Sequence, residues 1–253
     1  MFRPLLLLVT LLLCLALVGQ DDALALARQR LQGDDAAAQI AALDTLLARG
    51  GGVSAEYYQA LGNAHFARGN FGYAILNYER GLRIKPAHAG LANNLRYVRA
   101  EAGINRLEIK EFFLIRWWRI SAAFLGAELA YWLAMACWWL AVGGITLWWL
   151  RRSEMEEKRR FALLPGAGFL LVLAILFFAL GNSRNALLEN DREAVLITEG
   201  ADLRVAPGPD ATLEETLHQG LRLRILDDFD GYRKVSLEDG RQGWLPEESL
   251  EVI

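Results

Sequence analysis

The string AYWLAMACWWLAVGGITLWWL at residues 130–150, the loop RRSEMEEKRR at 151–160 and the string FALLPGAGFLLVLAILFFAL at 161–180 decide the architecture. Neither apolar string holds a charged residue, and at about 1.5 Å per helical residue each reaches across roughly 30 Å of hydrocarbon. Thirteen residues of the second string are Leu, Ile, Val or Phe, so its insertion is favourable unaided, whereas the first is richer in Ala and Trp. Arg151, Arg152, Lys158, Arg159 and Arg160 crowd the loop between them. A short basic loop stays in the cytoplasm, which places both long flanks on the opposite side. Trp117-Trp118 and Trp148-Trp149 bracket the first span as interfacial anchors. Pro165 and Gly166-x-Gly168 read as first-turn and close-packing residues of the second. Glu128, two residues before the uncharged run, reads as interfacial rather than as an ion or proton site. In Asn105–Phe124 the charges Lys110, Arg116 and Arg119 alternate with Phe112, Phe113, Trp117 and Trp118, the pattern of a helix lying in the interface.

The rest of the composition agrees with a membrane protein. Hydrophobic residues make up 54% of the 253, and 27 basic against 30 acidic residues leave a formal charge of −3. No long basic run exists to bind nucleic acid, and the hydrophobicity excludes a disordered chain. Cys14 and Cys137 both sit in apolar strings, so neither a disulfide framework nor a zinc knuckle can be built. Residues 1–20, with Arg3 ahead of the apolar run Pro4–Val18, read as a signal peptide. Its cleavage site is poor, and a retained anchor is the alternative. Either way the following segment is exported.

Residues 21–103 carry nine basic and eight acidic residues and a helical pattern interrupted by short breaks. Tyr58-x2-Leu61-Gly62-x2-His65, then Ala74-x3-Tyr78 and Pro86, resembles the tetratricopeptide repeat, with His65 where that template has tyrosine. Gly62 and Ala74 are small where two helices would cross, Tyr58, Leu61 and Tyr78 fill the space between, and Pro86 would open the next helix. A weaker copy around Gly33-Asp34-Asp35-x2-Ala38 and a closing helix at Ala89–Ala102 complete the segment. In that resemblance the first helix of each repeat lines a concave face. It implies a partner-binding surface at Gln59, Asn63, Asn93 and Tyr97. A plain helical cluster without a ligand is the other reading.

Residues 182–253 hold 16 acidic and eight basic residues. Ala194–Thr198, Leu221–Asp227, Tyr232–Leu237 and Gly243–Leu245 read as strands, and Gly200-Ala201-Asp202, Pro207-Gly208-Pro209, Asp230-Gly231 and Asp239-Gly240 as turns. About five short strands fit a small closed barrel that folds on its own. Leu203-Arg204-Val205-x-Pro207, Gly220-x4-Ile225 and Tyr232-Arg233-Lys234-Val235-x3-Asp239-Gly240-x2-Gly243-Trp244-Leu245-Pro246 resemble bacterial SH3 domains. The surface implied is Tyr232, Trp244 and Pro246, with barrel packing as the other role for Trp244. Ser249 stands where proline-peptide grooves carry tyrosine, so Pro-x-x-Pro recognition is not expected.

The expected fold is therefore a multidomain membrane protein: an all-α tetratricopeptide segment (21–103), an interfacial helix (104–129), transmembrane helices (130–150 and 161–181) joined by a basic loop (151–160), and a small all-β SH3-like barrel (182–253). That order resembles the BatE proteins of the Bacteroides aerotolerance group. The resemblance implies an inner-membrane scaffold with both termini periplasmic after signal cleavage. It implies work beside von Willebrand A-domain membrane proteins and a MoxR-type ATPase, in aerotolerance or envelope stress. Sensing or binding of peptidoglycan through the barrel is the alternative. His65, His88 and His218 are scattered, and no nucleophile motif, metal-ligand spacing or phosphate loop occurs. No enzyme activity, cofactor, metal or nucleic-acid partner is expected; the partners are the lipid bilayer and proteins.

Overall fold

The computed structural model describes residues 35–48, 53–104, 112–151 and 157–253. Residues 1–20, read above as a signal peptide, Gly50-Gly51-Gly52 and Lys110 lie outside the described residues. Two compact units emerge, one of residues 35–82, 88–104 and 191–253, the other of the remainder.

The first unit begins with four helices, α1 (Ala36–Ala48), α2 (Ala55–Ala67), α3 (Phe71–Ile84) and α4 (Ala89–Glu101). Their ends follow local chemistry. Ser54 caps α2 by accepting from the Tyr57 amide at 3.1 Å. Gly69, with φ +75°, lets the chain leave α2. The start of α4 differs from expectation: Pro86 lies in the turn before it, and His88 caps the helix, its Nδ1 accepting from the Leu91 amide at 3.1 Å. Proline cannot serve as that cap, because the acceptor must be a side chain. Ala74, Ile75, Leu76, Tyr78, Leu91 and Val98 are almost completely buried. A Cβ on Gly62 would fall 2.5 Å from the Tyr78 ring, so only glycine admits that ring against α2.

Seven antiparallel strands follow: β1 (Glu193–Leu196), β2 (Ala201–Arg204), β3 (Leu213–Leu217), β4 (Arg222–Phe229), β5 (Tyr232–Ser236), β6 (Gln242–Pro246) and β7 (Leu250–Val252), in the order β3-β2-β6-β5-β4-β1-β7. Leu217 and Leu250, from the two outermost strands, share one buried cluster with Leu196, Leu203, Leu223, Val235 and Leu245, so the sheet is rolled around a single core. Asp230 and Gly231 both have positive φ (47° and 76°), the two-residue hairpin turn whose twist matches the strands. Three strands lie beyond the four stretches named from the sequence. Ala201 and Asp202 open β2 rather than forming a turn, because Gly200 (φ +70°) completes the reversal one residue earlier. β3 is an edge strand whose first four residues are all exposed, which erases the alternation that reveals strands. β7 has only three residues.

Helix and sheet share this unit through contacts that modules expected to be separate would lack. Gly72 of α3 lies against the backbone at Leu196 and Ile197, where a Cβ would meet the Leu196 carbonyl oxygen at 2.8 Å. The Gly72 amide donates to Gln219 Oε1 at 3.0 Å. Arg80 donates to Glu251 (2.9 Å) and to the Val252 carbonyl (2.5 Å). Glu79 pairs with Arg99 of α4 and faces Arg222 of β4 at 3.8 Å, while Arg222 also pairs with Glu193 of β1 at 2.5 Å.

The second unit contains α5 (Phe113–Leu125), α6 (Ala127–Arg151) and α7 (Glu157–Leu188). The helix continues to Leu188, so residues 182–188 belong to it and not to the barrel. Starting at Glu157, α7 carries Pro165 in its interior rather than its first turn. A Cβ on Gly166 or Gly168 would meet nothing, and the close approach is instead at Gly181, where a Cβ would lie 2.9 Å from the Tyr131 ring and 3.2 Å from the Ala127 carbonyl oxygen. Small residues dominate the seam: Ala130, Ala134, Ala141, Ala167 and Ala174 are buried together with Leu180, while most of the Leu, Phe and Trp side chains are exposed. α6 and α7 are long and apolar enough to cross a membrane. Only 11% and 17% of their most apolar stretches are buried, so they lack the cover that core helices of a soluble domain receive.

Candidate functional site

Strand alternation sorts the side chains of the rolled sheet. On β6, Gly243 and Leu245 point into the core, so Trp244 and Pro246 point outward. Register then carries this outer face across the neighbours. Tyr232 lies opposite Pro246, Lys234 opposite Trp244, and Phe229 opposite Tyr232. Arg204 of β2 lies opposite Trp244 on the other side. Tyr232, Trp244 and Pro246, singled out in the sequence, therefore stand on one face, and the structure adds Phe229. Its ring meets Trp244 edge-on at 6.5 Å and is 61% exposed. Trp244 is half-buried and outside the core cluster. Phe229 escaped the sequence reading because the register slips between Ile225 and Asp227, which breaks the alternation on β4.

The face is rigidly backed. Arg204 donates from Nη1 to the carbonyls of Pro209 and Ala211 (both 2.8 Å) and pairs through Nη2 with Asp202 at 3.0 Å, pinning the β2–β3 loop. Arg233 pairs with Asp228 (3.0 Å) and Glu247 (2.5 Å). Ser249 is buried and its hydroxyl donates to the Pro246 carbonyl at 2.6 Å, so it holds the turn after β6 and offers no ring to a ligand. Glu199 accepts from His218 (2.6 Å) and from the Gln219 amide (3.1 Å), bonds that hold its carboxyl below the usual range.

A second concavity opens between α2, α3 and α4, a cleft of about 180 Å³ lined by Asn63, Phe66, Tyr78, Asn94 and Tyr97. Asn63 Oδ1 accepts from the Tyr78 hydroxyl at 2.7 Å and from Asn94 Nδ2 at 2.9 Å, which leaves its NH2 group as donor. Burial pushes the Tyr78 phenol up to about 12. Phe66 meets the exposed Tyr97 edge-on at 5.6 Å. Of the four residues assigned here from sequence, Asn63 and Tyr97 line the cleft. Gln59 packs beside Gly90 at the start of α4. Asn93 is exposed and does not line it; Asn94, about 100° further round the helix, takes that place. Nearby, His65 stacks on Tyr73 at 5.0 Å, and burial lowers its pKa below the ordinary histidine value. Among the described residues no group of three or more His, Cys, Asp or Glu is arranged to hold a metal ion.

Residues 203–250 match the family model described as the bacterial dipeptidyl-peptidase Sh3 domain. The match runs from β2 to the first residue of β7 and contains the whole aromatic face. No curated protein and no solved structure matches the chain. The chain carries a bacterial SH3-like domain, a class of cell-wall or protein-binding module, beside a helical region with two apolar helices.

Proposed function

We propose that the protein is a membrane-tethered adaptor of the bacterial envelope, in which α6 and α7 span the inner membrane and the helical segment with the SH3-like barrel is displayed in the periplasm. The observation that carries this reading is the outer face of Phe229, Tyr232, Trp244 and Pro246, a half-exposed strip with Phe229 open to solvent, on a barrel whose own core is complete without it. Apolar surface kept in water on a rigid strand frame is what an extended peptide can cover. Two spans return the chain to the side it left. That agrees with helices before them and strands after them sharing one unit. The tetratricopeptide-like cleft at Asn63, Asn94 and Tyr97 supplies a second docking point with amide donors for a peptide backbone.

In this reading the ligand is a protein, the A-domain membrane proteins implied by the BatE resemblance being the first to test, and no catalysis is assigned to the chain. Affinity purification of the full chain from solubilised membranes, followed by mass spectrometry, tests it. Phe229→Ala with Trp244→Ala should remove specific partners while leaving the chain folded and membrane-bound; an unchanged partner set rejects the assignment. A second reading has its own support: the matched domain takes its name from dipeptidyl-peptidases, and the aromatic face suits the short peptides of the cell wall. Cosedimentation of the full chain with purified sacculi, lost in the same double variant, would favour peptidoglycan instead.

A further inference from the structure

The second unit carries a feature that the adaptor reading does not use. Along α6, Glu128, Tyr131, Trp132, Met135, Trp138 and Trp139 recur at helical spacing and line an open groove of about 770 Å³. Ala174, Ile175 and Phe178 of α7 form its other side. The buried Ala134 and Ala174 make a low floor, while Trp132, Trp138, Trp139, Ile175 and Phe178 stand as walls, each more than half exposed. Glu128 closes one end. It is exposed in the first turn of α6, and no hydrogen bond or ion pair engages it among the described residues.

We infer that this groove holds one phospholipid with a primary-amine headgroup, phosphatidylethanolamine, its ammonium against Glu128 and an acyl chain over the alanine floor between the Trp walls. The inference rests on reading α6 and α7 as spans. Length argues for a lipid over a partner helix. From Glu128 to Trp139 is eleven residues, about 16 Å of helix and close to half of a roughly 30 Å hydrocarbon core. A transmembrane partner would be met along the whole hairpin, whereas this groove stops where one leaflet ends. Charge and ring chemistry select the headgroup. A carboxylate at the membrane surface pairs with an ammonium and repels an anionic headgroup, and the faces of Tyr131 and Trp132, one turn on, favour a cation. Glu128 also suits the positive end of the helix dipole, so the test must read lipid selectivity rather than helix stability alone.

The full chain, purified in detergent and offered equimolar phosphatidylethanolamine and phosphatidylglycerol with identical acyl chains, is read by native mass spectrometry. The expected result is a single adduct favouring the ethanolamine lipid by about fivefold, the scale of one exposed ion pair. Glu128→Gln should bring the two lipids to parity at unchanged helicity, and Ala174→Phe, which raises the floor, should remove both adducts. Equal binding of the two lipids by the unaltered chain overturns the inference, as does selectivity retained in Glu128→Gln. A lipid-free dimer also overturns it by assigning the groove to a second copy. Carbonate extraction separates the underlying reading: chain released into the supernatant rejects the spans themselves, whereas chain retained in the pellet without lipid selectivity rejects the lipid site alone.

Discussion

Replacing Gly72 by alanine tests whether helices and barrel form one body. A Cβ there would meet the Leu196 carbonyl oxygen at 2.8 Å, the Ile197 Cα at 2.9 Å and the Ile197 carbonyl oxygen at 3.1 Å. All three are backbone atoms and cannot swing aside. The Ile197 amide is tied to the Ser249 carbonyl and the Leu196 amide to that of Leu221, so β1 cannot retreat without loosening two of its own bonds. Overpacking of this kind costs about 1–3 kcal/mol. Three backbone contacts inside 3.2 Å put Gly72→Ala in the upper half of that range, and alanine recovers roughly 0.5–1 kcal/mol of helix propensity, leaving a net loss of about 1–2 kcal/mol. Gly90→Ala is the internal control. Its Cβ would approach the end of the Gln59 side chain at 3.1 Å and the His88 ring that caps α4 at 3.2 Å, so any cost falls on the start of α4 and not on β1. The assay is hydrogen exchange on the full chain. The β1 amides should exchange roughly 5–30-fold faster in Gly72→Ala and no faster in Gly90→Ala. If Gly72→Ala leaves β1 protection unchanged or raises it, α3 does not pack on the barrel and the shared unit is wrong.

Three further outcomes follow from the same contacts. His65 is held below its ordinary pKa mainly by burial, so the unfolded chain binds the proton more readily; its contribution to stability is complete well above about pH 6.5 and is lost as pH falls through that value. The helical segment should therefore melt earlier at pH 5.5 than at 7.5, and His65→Phe should flatten that difference; an unchanged pH slope counts against it. Leu91→Ala, at a fully buried position between α3 and α4, should cost about 2–5 kcal/mol by thermal denaturation, and a loss under 1 kcal/mol would contradict the packing. Alkaline phosphatase fused after residue 105 or 253 should be active and after residue 155 inactive; activity at 155 would reject the topology.

How much of this was legible depended on whether the signal was local. The two apolar helices could be read directly, because absence of charge over a span is a property of consecutive residues. The Gly62–Tyr78 crossing was legible through fixed spacing. The Asp230-Gly231 turn was legible because positive φ restricts residue type. What depended on register was missed. Phe229 joined the aromatic face only through its pairing with Tyr232 beyond a bulge, and Asn94 replaced Asn93 by one helical step. Edge strand β3 was invisible because Leu213–Thr216 are all exposed, which leaves no alternation of buried and exposed residues to read. The docking of α3 on β1 could not be read at all. Gly72 and Ile197 are distant in sequence, and a glycine carries no mark of what it approaches.

The central claim is that the aromatic face of the barrel is a docking surface in the envelope. Photo-crosslinking in intact cells tests it most directly, with the reactive residue placed at Phe229 or, as a control, at Glu214 on edge strand β3. The expected result is a discrete adduct from position 229, with a protein or with cell-wall peptide, that disappears when Trp244 is also changed to Ala and is absent from position 214. No adduct at 229, or equal adducts at both positions, would contradict the account.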